Sequence, residues 1–188
     1  GTAWGACERM DISGRDTIAI FGQGPVGLSA TLLAKAQGAR VIALDLDEGR
    51  LAAAKAAGAD FIVNSREKDV PGAIRDLTGG GATMALETAG VRQAGMDAIQ
   101  SVRPWGTICL VGLGAELSFS LAENLRRQLK IVTSWTMSLP GQKACADFVI
   151  ERGVDVDSIF TNHWTIDQAD EAYRSFNSMA TGKGVFVF

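Results

Sequence analysis

Thr17-Ile18-Ala19-Ile20-Phe21-Gly22-Gln23-Gly24-Pro25-Val26-Gly27 decides how the rest of the chain is read. Its first five residues are apolar, β-branched or aromatic, the composition of a fully buried strand. They run straight into G-x-G-x-x-G, and an Ala/Leu-rich run long enough for a helix follows over residues 26–37. In that context each glycine has a physical task. Gly22 permits the tight turn, Gly24 lets backbone approach a pyrophosphate with no Cβ in the way, and Gly27 lets the helix pack closely on the strand. The backbone amides and the positive end of the helix dipole then face the phosphates. The glycine pattern alone is also compatible with an ordinary strand–helix turn.

Working outward, Gly38 reads as the cap that ends the helix. Residues 40–44 form a second apolar run, closed by Asp45. A carboxylate at a strand end, about 20 residues past such a loop, can accept the ribose hydroxyls of NAD and repels the 2′-phosphate of NADP. The competing reading is a solvated Asp or a helix cap, but Asp47 directly precedes the next helical run and is the better cap. Arg50 lies close enough in sequence to receive a 2′-phosphate; its plain reading is a surface charge on the helix of residues 48–57.

The alternation continues. Short apolar runs at residues 61–63, 84–87, 107–111 and 130–135 read as strands, and residues 70–77 and 92–102 as helices. Pro71 sits where the first turn tolerates it, and Gly79-Gly80-Gly81 breaks the helix. Six strands with intervening helices predict an α/β fold with a doubly wound, six-stranded parallel sheet of the Rossmann type over residues 14–136. Thr88-Ala89-Gly90 and Val111-Gly112-Leu113-Gly114 follow strands four and five, at the edge where ligands sit in such sheets. They read equally as plain turns.

Residues 1–13 and 137–188 do not continue the series. Pro140-Gly141 reads as a turn, residues 142–152 and 167–179 as helices, and residues 184–188 as a strand. His163 lies in the aromatic stretch Phe160-Thr161-Asn162-His163-Trp164, with no Ser or Cys paired to it, and reads as structural rather than catalytic.

The 188 residues suffice for one core, or one domain plus part of another. Hydrophobic residues make up 47 % and charged residues 21 %, as in soluble globular proteins. A net charge of −3 and the lack of a basic stripe argue against nucleic acid. No apolar run approaches the roughly 18 residues of a membrane span and no signal peptide opens the chain, so the expected residence is cytoplasmic. Cys7, Cys109 and Cys145 are scattered and odd in number, and there is one histidine; no spacing predicts a disulfide framework or a metal site.

Taken together, Gly22-Gln23-Gly24-Pro25-Val26-Gly27-Leu28, Asp45, Arg50-Leu51 and Ala54-Lys55 with Gly58-Ala59 resemble the zinc-dependent medium-chain alcohol and polyol dehydrogenases. Thr161 with His163, Ala169-Asp170-Glu171-Ala172-Tyr173 and Gly182-Lys183-Gly184 resemble that family's C-terminal part. The resemblance covers essentially the whole chain. It implies a cofactor domain plus a remnant of the catalytic domain, because Gly1-Thr2-Ala3-Trp4 resembles the stretch just after one catalytic zinc ligand. The zinc ligands and proton-relay hydroxyl would then lie in an absent N-terminal half, and this chain alone would be inactive.

Carried over by resemblance, Asp45 and Arg50 contact the adenosine ribose, and Gly24, Pro25 and Val26 line the pyrophosphate, with Gly22 and Gly27 shaping the same loop. Val111, Leu113, Ser134 and Thr136 fall toward the nicotinamide through backbone groups, and Lys183 toward the pyrophosphate, with a surface lysine as its alternative; Thr88 is a candidate by its place at the end of strand four. Thr133 departs from the family, where glycine is common. The resemblance further implies an alcohol or polyol substrate and a homodimer formed through residues 130–135. Two rivals remain at this level: an NADPH-dependent, zinc-free quinone reductase, which Asp45 argues against, and a non-enzymatic NAD-sensing module.

Overall fold

The computed structural model describes residues 1–66, 69–178 and 182–188. Helix α1 (Thr2–Met10) is followed by β1 (Thr17–Phe21), α2 (Pro25–Ala36), β2 (Arg40–Asp45), α3 (Glu48–Ala56) and β3 (Phe61–Asn64). Then come α4 (Val70–Thr78), β4 (Ala82–Glu87), α5 (Arg92–Ser101), β5 (Val102–Leu110), the single turn α6 (Leu121–Asn124) and β6 (Lys130–Thr133). All six strands are parallel, in the order β3-β2-β1-β4-β5-β6. The expected doubly wound Rossmann sheet is therefore the observed one. Strand order reverses between β1 and β4, and the crevice outside their carboxyl ends is where such sheets bind ligands.

Burial on both faces follows from the two-residue period of a strand. Ile18, Ile20, Val41, Ala43, Leu86 and Cys109 point to one side, where they pack with Ala6, Cys7 and Met10 of α1 and Leu28 and Leu33 of α2. Ala19, Phe21, Ile42, Leu44, Ala85 and Ile108 point to the other, against Val70 and Ile74 of α4 and Ala98 of α5. The caps read from sequence are in place: Asp47 accepts from the Arg50 amide, and Gly38 takes φ 89° just past α2. Gly79, Gly80 and Gly81 all have positive φ.

Several expectations need correction. The opening residues form α1, whose Ala3, Ala6, Cys7 and Met10 are buried on one helical face of the main core. Strand β6 stops at Thr133 rather than Trp135, because its partner β5 ends at Leu110; the Ser134 amide makes the final bond to the Leu110 carbonyl. Conversely, β5 begins at Val102 and reaches Thr107 through an irregularity at which Trp105 takes φ 65°.

Pro140-Gly141 is not a free turn but the first turn of α7 (Leu139–Arg152). Ser138 caps it by accepting from the Gly141 amide, and proline is suited to that first turn. The aromatic stretch is β7 (Phe160–Trp164), and α8 (Ala169–Asn177) follows it after a short 3-10 turn. Strand β8 (Lys183–Phe186) pairs in parallel with β7 in a separate two-stranded sheet. Met179, expected to end α8, lies outside the described residues.

Candidate dinucleotide-binding site

The loop from β1 to α2 is assembled as its glycines require. Gly22 has φ 90°, a conformation strained for residues with a Cβ. A Cβ on Gly27 would run into the Gly22 carbonyl oxygen, so helix and strand can approach only without one. Gly24 differs: its Cβ position meets nothing within 4 Å. The packing therefore does not need a glycine there, whereas a ligand approaching the backbone does. Gly24 is the N-cap of α2, Pro25 occupies its first turn, and no side chain caps the helix. The first intrahelical bond runs from the Leu28 amide to Gly24, so the amides of Val26 and Gly27 lie at the open helix end, where anions are stabilised.

Asp45, 8 % exposed, ends β2 beside this loop. Its Oδ2 accepts from the Gln23 amide at 2.6 Å, and its Oδ1 from the amides of Leu46 and Asp47 at 2.8 and 3.0 Å. A carboxylate has about four acceptor positions, so three amides leave room for one further donor. Arg50 stands 3.9 Å from Oδ2. Gln23 holds this contact in place: its buried side chain donates to the Ile20 carbonyl and accepts from the Thr31 hydroxyl.

On the other side of the crevice, Thr88 Oγ1 reaches the carbonyls of Phe21 and Gly22 at 2.9 and 3.0 Å, which ties the end of β4 to the glycine loop. Thr88, Val26, Val111, Gly112 and Leu113, together with Thr2, Trp135 and Thr136, line an open cleft of about 410 Å³. The wall is mostly apolar, as suits a planar ring held away from water. Directly behind it lies Glu87, 1 % exposed at the end of β4. Burial pushes its carboxyl above the ordinary carboxylate range, and hydrogen bonds from the amides of Gly90, Ala89 and Gly112 partly oppose that shift.

The residues singled out in the sequence thus fall into three places. Gly22, Gly24, Pro25, Val26 and Gly27, with Asp45 and Arg50, surround the loop and the end of β2. Thr88, Val111 and Leu113 share the cleft with Val26. Ser134 and Lys183 do not line this cleft. Ser134 is 5 % exposed, with its hydroxyl turned toward Gly5 of α1, and its neighbours Trp135 and Thr136 face the cleft instead. Lys183 begins β8, with its ammonium 5.6 Å from the centre of the Phe160 ring. His163 is exposed on β7 opposite Val185.

Glu87, Gln23 and Thr2 were not singled out from sequence. Glu87 did carry a signal: it is a carboxylate closing an otherwise apolar strand, as Asp45 is. Among the described residues, no group of three His, Cys, Asp or Glu side chains converges to hold a metal ion, so these residues do not fit a zinc ion.

A glycine loop on a helix N-terminus, a strand-end carboxylate and an apolar cleft thus meet at the switch point of a doubly wound α/β sheet, the place where such sheets bind ligands. Residues 25–152 match the model of the zinc-binding dehydrogenase family. The chain is 34 % identical over its whole length to an uncharacterized zinc-type alcohol dehydrogenase-like protein, YphC, of Escherichia coli, of which it covers 54 %. It is 30 % identical to the sorbitol dehydrogenase of Halalkalibacterium halodurans over 92 % of this chain and 52 % of that one. The crystal structure of an alcohol dehydrogenase zinc-binding domain protein from Burkholderia ambifaria superposes with a TM-score of 0.90 at 30 % identity, covering 98 % of this chain and 52 % of that one. The chain belongs to the zinc-binding dehydrogenase family, and it spans about half the length of these relatives.

Proposed function

We propose that this chain binds NAD and serves hydride transfer between an alcohol or polyol and the nicotinamide, as the cofactor-holding part of a dehydrogenase. The observation that carries the choice of cofactor is Asp45. Its buried carboxylate keeps one acceptor position beside the glycine loop, suited to a ribose hydroxyl and repulsive to a 2′-phosphate. Arg50, the residue that a 2′-phosphate would need, is already drawn toward that same carboxylate.

The chain's own residues bind and orient. Gly24 leaves room for the pyrophosphate, and the first amides of α2 face its charge. Val26, Val111 and Leu113 form an apolar wall for the ring to lie against. The bound cofactor supplies the hydride chemistry, and the protein supplies binding and geometry. With no zinc-binding cluster among the described residues, polarisation of the alcohol is no task of theirs, and the chain alone is expected to turn over no substrate.

Titration of the chain with NADH and NADPH, followed by fluorescence, tests the reading. NADH should bind, and NADPH should bind at least about tenfold more weakly. A preference for NADPH would favour the quinone reductase reading instead.

We further propose a homodimer through the free edge of β6. Ile131 is exposed on that edge, and Phe119, Leu121 and Leu125 expose apolar groups in the segment leading to it. An open apolar strand edge is an association hazard unless it is paired. Sedimentation should report a dimer that Ile131→Lys converts to a monomer; a wild-type monomer contradicts the proposal.

A further inference from the structure

Behind the cleft wall, two turns that share no secondary structure are locked together around one side chain. The turn after β4 is Thr88-Ala89-Gly90, and the turn after β5 is Val111-Gly112-Leu113. A Cβ on Gly90 would strike the Leu113 carbonyl oxygen, and a Cβ on Gly112 would strike the Gly90 nitrogen and stand 2.6 Å from Glu87 Oε2. The two turns therefore touch backbone to backbone, and Glu87 fills the space between them. Its Oε1 accepts from the Gly90 amide at 2.7 Å, and its Oε2 lies against Gly112, where it would stand 2.6 Å from an added Cβ. Its main-chain carbonyl accepts from the amides of Val111 and Gly112 at 2.9 and 3.1 Å. The next residue, Thr88, carries the connection on to Gly22.

We propose that Glu87 is a positioning residue, which fixes the two turns that form the nicotinamide side of the cleft while itself touching no ligand. This rests on the NAD reading above. The argument is one of location and chemistry. Glu87 is 1 % exposed and hidden from the cleft, yet it is bonded to the backbone of both turns that line it. A carboxylate only accepts, and the groups facing it are amide donors. Glutamine has the same shape but turns one acceptor into a donor pointed at amides, which unseats one of the turns. Asp45 ends β2, on the far side of β1 from Glu87, and its own hydrogen bonds do not involve that carboxylate. The effect of losing it should therefore fall on the nicotinamide half of the cofactor and spare the adenosine half.

The test is a pair of titrations, with ADP-ribose and with NADH, of the wild-type chain, Glu87→Gln and Gly112→Ala. Both variants should lose about tenfold in NADH affinity, as expected when hydrogen bonds to a charged group fail, and keep ADP-ribose affinity within about twofold. Glu87→Gln binding NADH as tightly as wild type would overturn the assignment. So would an equal loss of both ligands, the mark of a group that only supports the fold. Amide hydrogen exchange separates this from the cofactor reading. Should the wild-type chain bind neither ligand, the NAD reading falls and this role in cofactor binding falls with it, whereas faster exchange at Gly90 in Glu87→Gln would still show that the carboxyl holds the turn after β4 in place. Unchanged exchange at Gly90 would overturn that as well.

Discussion

The six-stranded sheet and residues 137–188 bury their apolar side chains in different ways. In the sheet, Ile18, Ile20, Ile42 and Leu86 are wholly inaccessible, and each face is covered by helices of the same chain. In the later stretch, α7 and α8 bury no residue completely. Leu139 is 84 % exposed, and Ile150, Tyr173 and Phe176 are exposed too. The two-stranded sheet of β7 and β8 offers only a shallow apolar hollow between Trp164, Tyr173, Phe176 and Phe186. The first region closes on itself and can hold a binding site rigidly. The second leaves several large apolar side chains in water. The candidate site sits wholly at the edge of the closed region.

The contrast predicts a large difference in what truncation costs. Ile20→Ala should lower the unfolding free energy by about 2–5 kcal/mol. Phe176→Ala, at a side chain already largely in water, should cost less than about 1 kcal/mol. Denaturant titration of the two variants checks this, and similar losses would break the distinction between the regions. Within the closed region, the glycine loop sharpens it. Gly27→Ala forces a methyl group into the Gly22 carbonyl and should destabilise the fold by about 3 kcal/mol. Gly24→Ala meets open space and should leave stability within about 1 kcal/mol. It should nonetheless weaken NADH about tenfold, because the methyl occupies the room reserved for the pyrophosphate. A Gly24→Ala chain that binds normally would remove the phosphate from this loop.

The cysteines report the same difference more gently. Burial pushes the thiol of Cys7 up to about 12 and that of Cys109 to about 11. Cys145, on α7, is only partly buried and is raised less. Alkylation at about pH 8.5 should modify Cys145 first and leave Cys7 and Cys109 until the sheet unfolds. Because the two core thiols stay protonated in the folded state after the unfolded chain begins to lose those protons, their contribution to stability is complete below the ordinary thiol pKa. It declines as pH rises through that value toward 11 and 12. Cys7 reacting as fast as Cys145 in the folded chain would contradict this burial.

Where local sequence and tertiary structure demand the same thing, the sequence was readable. The stretch 17–27 contains its own strand, turn and helix start, and Asp45 follows at a fixed remove on the neighbouring strand, so the fold and the place of Asp45 beside the glycine loop could both be read. Helix α1 received no reading as an element, although Ala3, Ala6, Cys7 and Met10 recur at helical spacing, because Gly1, Gly5 and Gly14 obscure that pattern. Gly5 is there for another reason: it lets α1 approach the Thr136 carbonyl, a contact more than a hundred residues away in the chain. Glu87 and Gln23 escaped for the same cause. Their importance lies in which distant amides and carbonyls they meet, which no local pattern records. The extent of β6 was misjudged because a strand ends where its partner ends, and β5 stops at Leu110.

The central claim is that Asp45 makes this an NAD site, and the ratio of NADPH to NADH dissociation constants measures it most directly. For the wild-type chain the ratio should be at least about ten, and in Asp45→Asn, which removes the charge and keeps the shape, it should fall to within about threefold of one. A wild-type ratio at or below one, or the same ratio in Asp45→Asn as in wild type, would contradict the account.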